Sequence, residues 1–142
     1  MGGVQVVGTR RLSGAQNVVT RDFTIRDGAE AMRTVMARYP QTTAVVCTSD
    51  VAAFGAVSEC RRLGVRVPED VSIVGFDDAE YAAHLDPPLT TIAVPGEEMG
   101  RLGAEMLFKA LSTGETFHSI KLDSPLIVRK SACPPRAGAK AG

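Results

Sequence analysis

The stretch "TTAVVCTSDVAAFGAVSECRRLGVRVPEDVSIVGF", residues 42–76, constrains the fold more than any other part of the chain. Residues 43–48 form a nearly continuous apolar run that stops on Ser49-Asp50. Ala53, Ala56, Val57, Cys60 and Leu63 then recur at helical spacing, and Gly64 is a natural helix stop. Asp50 stands where a helix N-cap is expected. A turn at Pro68 leads to a second apolar strand over residues 71–76. Strand, helix and strand of these lengths make a β-α-β unit, whose two strands lie parallel with a right-handed crossover. Runs such as AVVC and VSIVGF lack polar alternation and suit strands covered on both faces. The expected architecture is α/β.

The flanks extend this unit. "NVVTRDF" reads as a strand from Val18, and Thr24 is placed to cap a helix over residues 25–38. Ala29, Met32, Val35, Met36 and Tyr39 follow helical spacing there, and Pro40 ends it. Past Asp78, residues 79–85 suit one or two helical turns, which Pro87-Pro88 must terminate. An extended piece follows over residues 89–94. Glu97-Glu98 then open a helix over residues 97–111, with Met99, Leu102, Gly103, Met106, Ala110 and Leu111 as its expected buried stripe. Residues 119–130 read as an irregular last strand. Residues 1–17 are Gly-rich, with only a weak alternating strand at Val4 to Val7, and "CPPRAGAKAG" offers no large apolar anchor. The expected division is a poorly defined segment 1–17, one domain 18–133 and a disordered tail 134–142.

At 142 residues with 44% hydrophobic content, the chain can bury a sizeable core as one soluble domain. Lysine plus arginine (16) balance aspartate plus glutamate (16), so no basic face for nucleic acid is evident. Cys47, Cys60 and Cys133 are odd in number and widely spaced, which argues against a disulfide framework or a zinc site. No secretory signal pattern and no run of 18 apolar residues occurs, so a cytoplasmic location away from the membrane is expected.

Ligands of open parallel sheets bind beyond the carboxyl ends of the strands. Three such ends carry polar or aromatic groups: Asp22-Phe23, Ser49-Asp50 and Phe76-Asp77-Asp78. One ionised carboxylate can accept from two neighbouring hydroxyls, and a nearby ring can cover a sugar's apolar face. Each residue also has an architectural use, Asp50 as a cap, Asp77-Asp78 as a turn and Phe23 as core. Enzyme motifs are missing, because His84 and His118 stand apart from any G-x-S-x-G, H-E-x-x-H or P-loop. A metal-dependent phosphohydrolase could use Asp50, Asp77 and Asp78, but it lacks a phosphate cradle and a clear nucleophile. Cys47, in an apolar strand, suits a buried inert thiol better than a nucleophile. No cofactor or metal is expected. Phe54 lies off the buried stripe of its helix and faces either a partner or the flank of its own sheet.

The run "VPEDVSIVGFDDAEYAAHLDPPLTTI", followed by "EEMGRLGAEMLFKAL" and "PLIVRKS", resembles the LacI/GalR family of bacterial transcriptional regulators. The resemblance covers residues 22–134. It implies the C-terminal part of a sensor domain with a type I periplasmic-binding-protein-like fold, truncated at the N-terminus, in which two α/β lobes clasp an effector. It also implies that Phe23, Ser49, Asp50 and Asp77 face a small effector, sugar or nucleoside-like, and that Phe54, Tyr81 and Leu85 fall at a homodimer interface. Operator DNA would be read only through a helix-turn-helix absent from this chain. A free-standing carbohydrate-binding module related to the periplasmic proteins is the alternative, and it would need a signal peptide.

Overall fold

The structure is a computed structural model that describes residues 3–6, 16–19, 22, 24–114 and 116–135. Strands β1 (Gly3–Val6), β2 (Gln16–Val19), β3 (Ala44–Cys47) and β4 (Ser72–Val74) form one sheet in the order β2-β1-β3-β4. β3 and β4 pair in parallel, as the β-α-β reading requires. β1 departs from that pattern, because it lies between β2 and β3 and runs antiparallel to both. The sheet is therefore mixed, and its pairing crosses the boundary expected between residues 17 and 18.

Helix α1 (Ile25–Arg38) begins as expected, with the Thr24 hydroxyl accepting from the Asp27 amide at 3.1 Å. Helix α2 (Asp50–Leu63) begins one residue earlier than expected. Ser49, not Asp50, is its N-cap and accepts from the Ala52 amide at 3.2 Å. The displaced Asp50 is the first helical residue and is free to serve another purpose.

The two helices meet almost backbone to backbone. A Cβ added to Gly28 would stand 2.2 Å from the Ala52 carbonyl oxygen, and one added to Gly55 would stand 2.0 Å from that of Ile25. Ala31, Met32 and Val35 of α1 join Ala53, Ala56, Val57 and Cys60 of α2 in a core completed by Val45, Cys47, Val71, Ile73 and Leu89. Burying each of the larger side chains contributes about 1.5–3 kcal/mol. Above this contact Glu59 on α2 is 3% exposed and bonded to Arg33 at 2.8 Å and Arg62 at 2.7 Å. Hydrogen bonds from Arg62 and then Arg33 hold its carboxyl at about 2, against the opposing effect of burial.

A 3-10 turn (Glu80–His84) follows β4, and Pro87-Pro88 lead into β5 (Thr91–Ile92). β5 pairs antiparallel with β6 (Leu126–Ile127), making a narrow ribbon at the sheet's edge. Between them runs α3 (Gly96–Thr113), which extends past both expected ends. Its expected stripe is not buried: no residue of α3 is, and Met99, Leu107, Phe108 and Leu111 are exposed. The helical periodicity was legible, but among the described residues the apolar face it creates is only partly covered, with Leu102, Met106 and Ala110 half-buried.

Two outcomes follow from this packing. Gly55→Ala should destabilise the chain by about 1–3 kcal/mol in urea melts despite alanine's helix propensity, because the neighbour is rigid backbone. Gly103→Ala, where a Cβ meets nothing within 4 Å, should instead gain up to about 1 kcal/mol. The second outcome concerns acid. The carboxyl of Glu59 is lowered on folding, so its contribution is fully present above about 4.5 and is lost as pH falls from there towards 2. The drop in urea midpoint from pH 7 to pH 3 should therefore be smaller in Glu59→Gln than in the parent chain.

Candidate functional site

The carboxyl ends of β3 and β4 are joined through Asp50. Its residue is 0% exposed, and both carboxylate oxygens are engaged by the chain. Oδ1 accepts from the Thr91 hydroxyl at 2.6 Å, and Oδ2 accepts from the Ala79 amide at 2.8 Å. The Asp50 amide in turn donates to the Phe76 carbonyl at 2.8 Å. A buried carboxylate without partners would be strongly unfavourable, and these bonds offset its loss of water. They also connect the start of α2, the corner after β4 and strand β5.

That corner is unusual in its backbone. Asp77 has φ 119° and Asp78 φ 56°, and neither is glycine. Such conformations cost non-glycine residues about 1–3 kcal/mol each and persist where the surroundings impose them. Here the Asp77 amide donates to the Ile92 carbonyl at 2.9 Å. The Arg129 guanidinium donates to Asp78 Oδ1 at 2.7 Å and to the Leu89 carbonyl at 2.9 Å. Gly75 makes room from below, since a Cβ there would stand 2.1 Å from Asp50 Oδ1. The outcome is an exposed Asp77 on a corner fixed from three sides.

The residues singled out in the sequence therefore separate. Asp77 is exposed, Ser49 is 8% exposed at the helix cap, and Asp50 is sealed beneath them. Phe23 lies outside the described residues. Shielding of its carboxyl, followed by the charge of Asp50, pushes Asp77 above the usual carboxylate range, while a backbone hydrogen bond from Asp50 acts the other way. Burial, then Asp50 and Asp77, push the Tyr81 phenol up as well. Tyr81 meets Phe54 edge to face with centroids 6.3 Å apart, and Leu85 packs partly buried against the core nearby. Phe54 is half-buried and Tyr81 is 39% exposed, so the pair forms a continuous apolar patch only partly covered by its own sheet.

Sequence reasoning missed Thr91 and Arg129. Both lie some forty or more positions from the acids they hold, and the only local sign of Thr91 was the paired threonines of P-P-L-T-T-I. The acids do not converge as a metal set would. Asp50 is enclosed by Thr91 and Ala79, Asp78 is tied to Arg129, and among the described residues no three acids, histidines or cysteines gather to hold an ion. An open hollow of ≈ 440 Å³ borders Thr42, Thr43, Asp70 and Ser72, at the amino ends of β3 and β4, away from Asp50, Asp77 and Asp78. Among the described residues no helix is long and apolar enough to cross a membrane.

An α/β lobe with an acid-bearing corner at its carboxyl edge and a two-stranded ribbon leaving it is the form of a binding-protein lobe. The chain belongs to the periplasmic binding protein-like domain family, whose pattern it matches over residues 4–132, in the version found in LacI-type regulators. It is 41% identical over 117 residues to the HTH-type transcriptional repressor CytR of Escherichia coli (strain K12), covering 82% of this chain and 34% of that protein. A solved complex of the transcriptional regulator CelR with cellobiose superposes with a TM-score of 0.71 at 41% identity, over 78% of this chain and 34% of that one. A LacI family transcriptional regulator from Arthrobacter sp. FB24 in complex with lactose gives 0.70 at 29% identity, over 81% and 43%. The chain thus spans about a third of the length of the curated relatives it matches.

The thiols offer a direct check on this geometry. Burial pushes Cys47 and Cys60 up to about 12, whereas Cys133 is exposed. A disulfide thiol reagent at pH 8 should titrate one thiol per native chain and all three in denaturant. Rapid native reaction of Cys47 would revive it as a nucleophile.

Proposed function

We propose that this chain is the effector-sensing and dimerisation lobe of a LacI-type transcriptional regulator, acting in the cytoplasm. The observation that carries the proposal is the corner at Asp77: an exposed carboxylate, held in left-handed backbone at the end of β4, next to the capped start of α2. A carboxylate so presented can accept from two adjacent hydroxyls of one ligand, which is what sugar and ribose recognition needs. Ser49 is assigned a polar contact with the same ligand, and Phe23 an aromatic one. Asp50 serves the same site from within the fold.

The relatives in complex with cellobiose and lactose support a carbohydrate as the effector, with a nucleoside-like molecule as the other member of the same hydroxyl-rich class. The exposed apolar face of α3 supports a second lobe packed against it, which would supply the opposite wall of the cleft. Phe54, Tyr81 and Leu85 form the proposed homodimer surface, through which a change in lobe arrangement reaches paired DNA-reading heads outside this chain. The role is binding rather than catalysis, with operator DNA contacted only by those heads.

The test is a thermal melt of the purified chain with a panel of sugars and nucleosides. A ligand at about a hundred times its dissociation constant should add roughly 2.7 kcal/mol of stability. Asp77→Ala should keep the unliganded melt within a few degrees and weaken that ligand by about tenfold to a hundredfold, the loss of a charge-assisted pair of hydrogen bonds. Unchanged affinity in the variant would reject Asp77 as the effector ligand.

A further inference from the structure

The buried acid at residue 50 is not explained by helix capping, which Ser49 performs. Nor is it available for ligand, since it is 0% exposed with both oxygens occupied. A neutral residue would avoid the cost of burying charge, so the carboxylate must return something that a smaller or apolar side chain cannot. What it returns is geometric. Its two oxygens point at two segments distant in sequence, the amide of Ala79 just past the left-handed corner and the hydroxyl of Thr91 on β5. No uncharged side chain of this size offers two full acceptors from one planar group.

We infer that Asp50 is the positioning residue of the effector site: it anchors the Asp77-Asp78 corner through Ala79 and fastens strand β5 to the same point through Thr91. Asp77 is then presented at a fixed place relative to the ribbon of β5 and β6, and the two move as one body. The strained backbone at Asp77 and Asp78 needs such an anchor, because left-handed aspartates relax into ordinary turns when nothing holds them. Arg129 grips the outer side of the corner at Asp78 and Leu89, so Asp50 and Arg129 clamp it from within and without. Gly75 belongs to the same device, since any side chain there would collide with Asp50 Oδ1. The role given to Asp77 rests on the function proposed above; the anchoring itself can be read without any ligand.

The experiment is amide hydrogen exchange and carboxyl titration by NMR on the full chain, unliganded, for the parent, Thr91→Val, Thr91→Ser and Asp50→Asn. Thr91→Val removes the hydroxyl and leaves the shape. It should speed exchange at Asp77 and Ala79 by about tenfold or more while Ile73 in the core changes little, the signature of local rather than global opening. Thr91→Ser keeps the hydroxyl and should restore protection at the corner. Asp50→Asn removes the charge and one acceptor, so its single oxygen can keep the Ala79 amide only if the Thr91 hydroxyl turns to accept from the new NH2 group. The Asp77 carboxyl should then titrate at lower pH than in the parent, and the Tyr81 phenol with it, Asp78 and Arg129 being the other charged groups that face the corner.

Corner amides in Thr91→Val that exchange no faster than in the parent, or only in step with Ile73, would overturn the inference. So would corner amides in Thr91→Ser that exchange as fast as those in Thr91→Val. The two readings fail independently: Asp77→Ala with unchanged ligand affinity rejects the effector assignment, and the corner's exchange behaviour is untouched by that result.

Discussion

One buried carboxylate ties the start of α2, the corner after β4 and strand β5 together. Asp50 begins α2, yet its side chain turns away from the helix and into the sheet, where it meets the corner after β4 and the edge strand β5. Three chain segments far apart in sequence thereby share one planar group. The low polarity around it strengthens each hydrogen bond and makes each one costly to lose. Everything proposed for the site depends on this arrangement, because an exposed acid recognises hydroxyls selectively only if its position is fixed before the ligand arrives.

The scaffold that carries Asp50 to this place is the α1–α2 pair packed on β3 and β4. Gly28 and Gly55 let the helices approach at backbone distance, and Glu59 with its two arginines ties their exposed edges together. The first of these interactions is insensitive to pH and the second is not. Acid should loosen the pair at that edge, because protonation of Glu59 removes its ion pairs, whereas the apolar contacts of Met32, Val35, Ile73 and Leu89 carry no charge.

The other end of the described structure has the opposite character. α3 buries none of its residues, and the ribbon of β5 and β6 is two residues wide on each strand. A helix with that apolar face gains little from packing within the described lobe, although its first-turn acids Glu97 and Glu98 and the Arg101–Glu105 pair favour it locally. The chain spans about a third of the length of the curated relatives it matches.

Local physics made much of the fold legible in the sequence. The extent of α1, the Gly64 stop, the strands β3 and β4 and the turn after Asp78 were all set by hydrophobic period, caps and prolines, which act between near neighbours, whereas the expected cover on both faces of β3 is incomplete, since Ala44 and Val46 are half-buried. The resemblance carried by "VSIVGFDDAEYAAHLDPPLTTI" identified the family before any coordinates. The sequence could not show that β1 runs antiparallel inside the sheet, because strand direction depends on which partners close around it. Nor could it distinguish the exposed Asp77 from the sealed Asp50: both are acids at strand ends, and only the arrival of Thr91 on β5 separates the enclosed carboxylate from the solvent-facing one. What the chain determined by itself was therefore its elements and their order. Which acid meets solvent, and which apolar face is left open, was decided by contacts between residues tens of positions apart, whose identity no local pattern encodes.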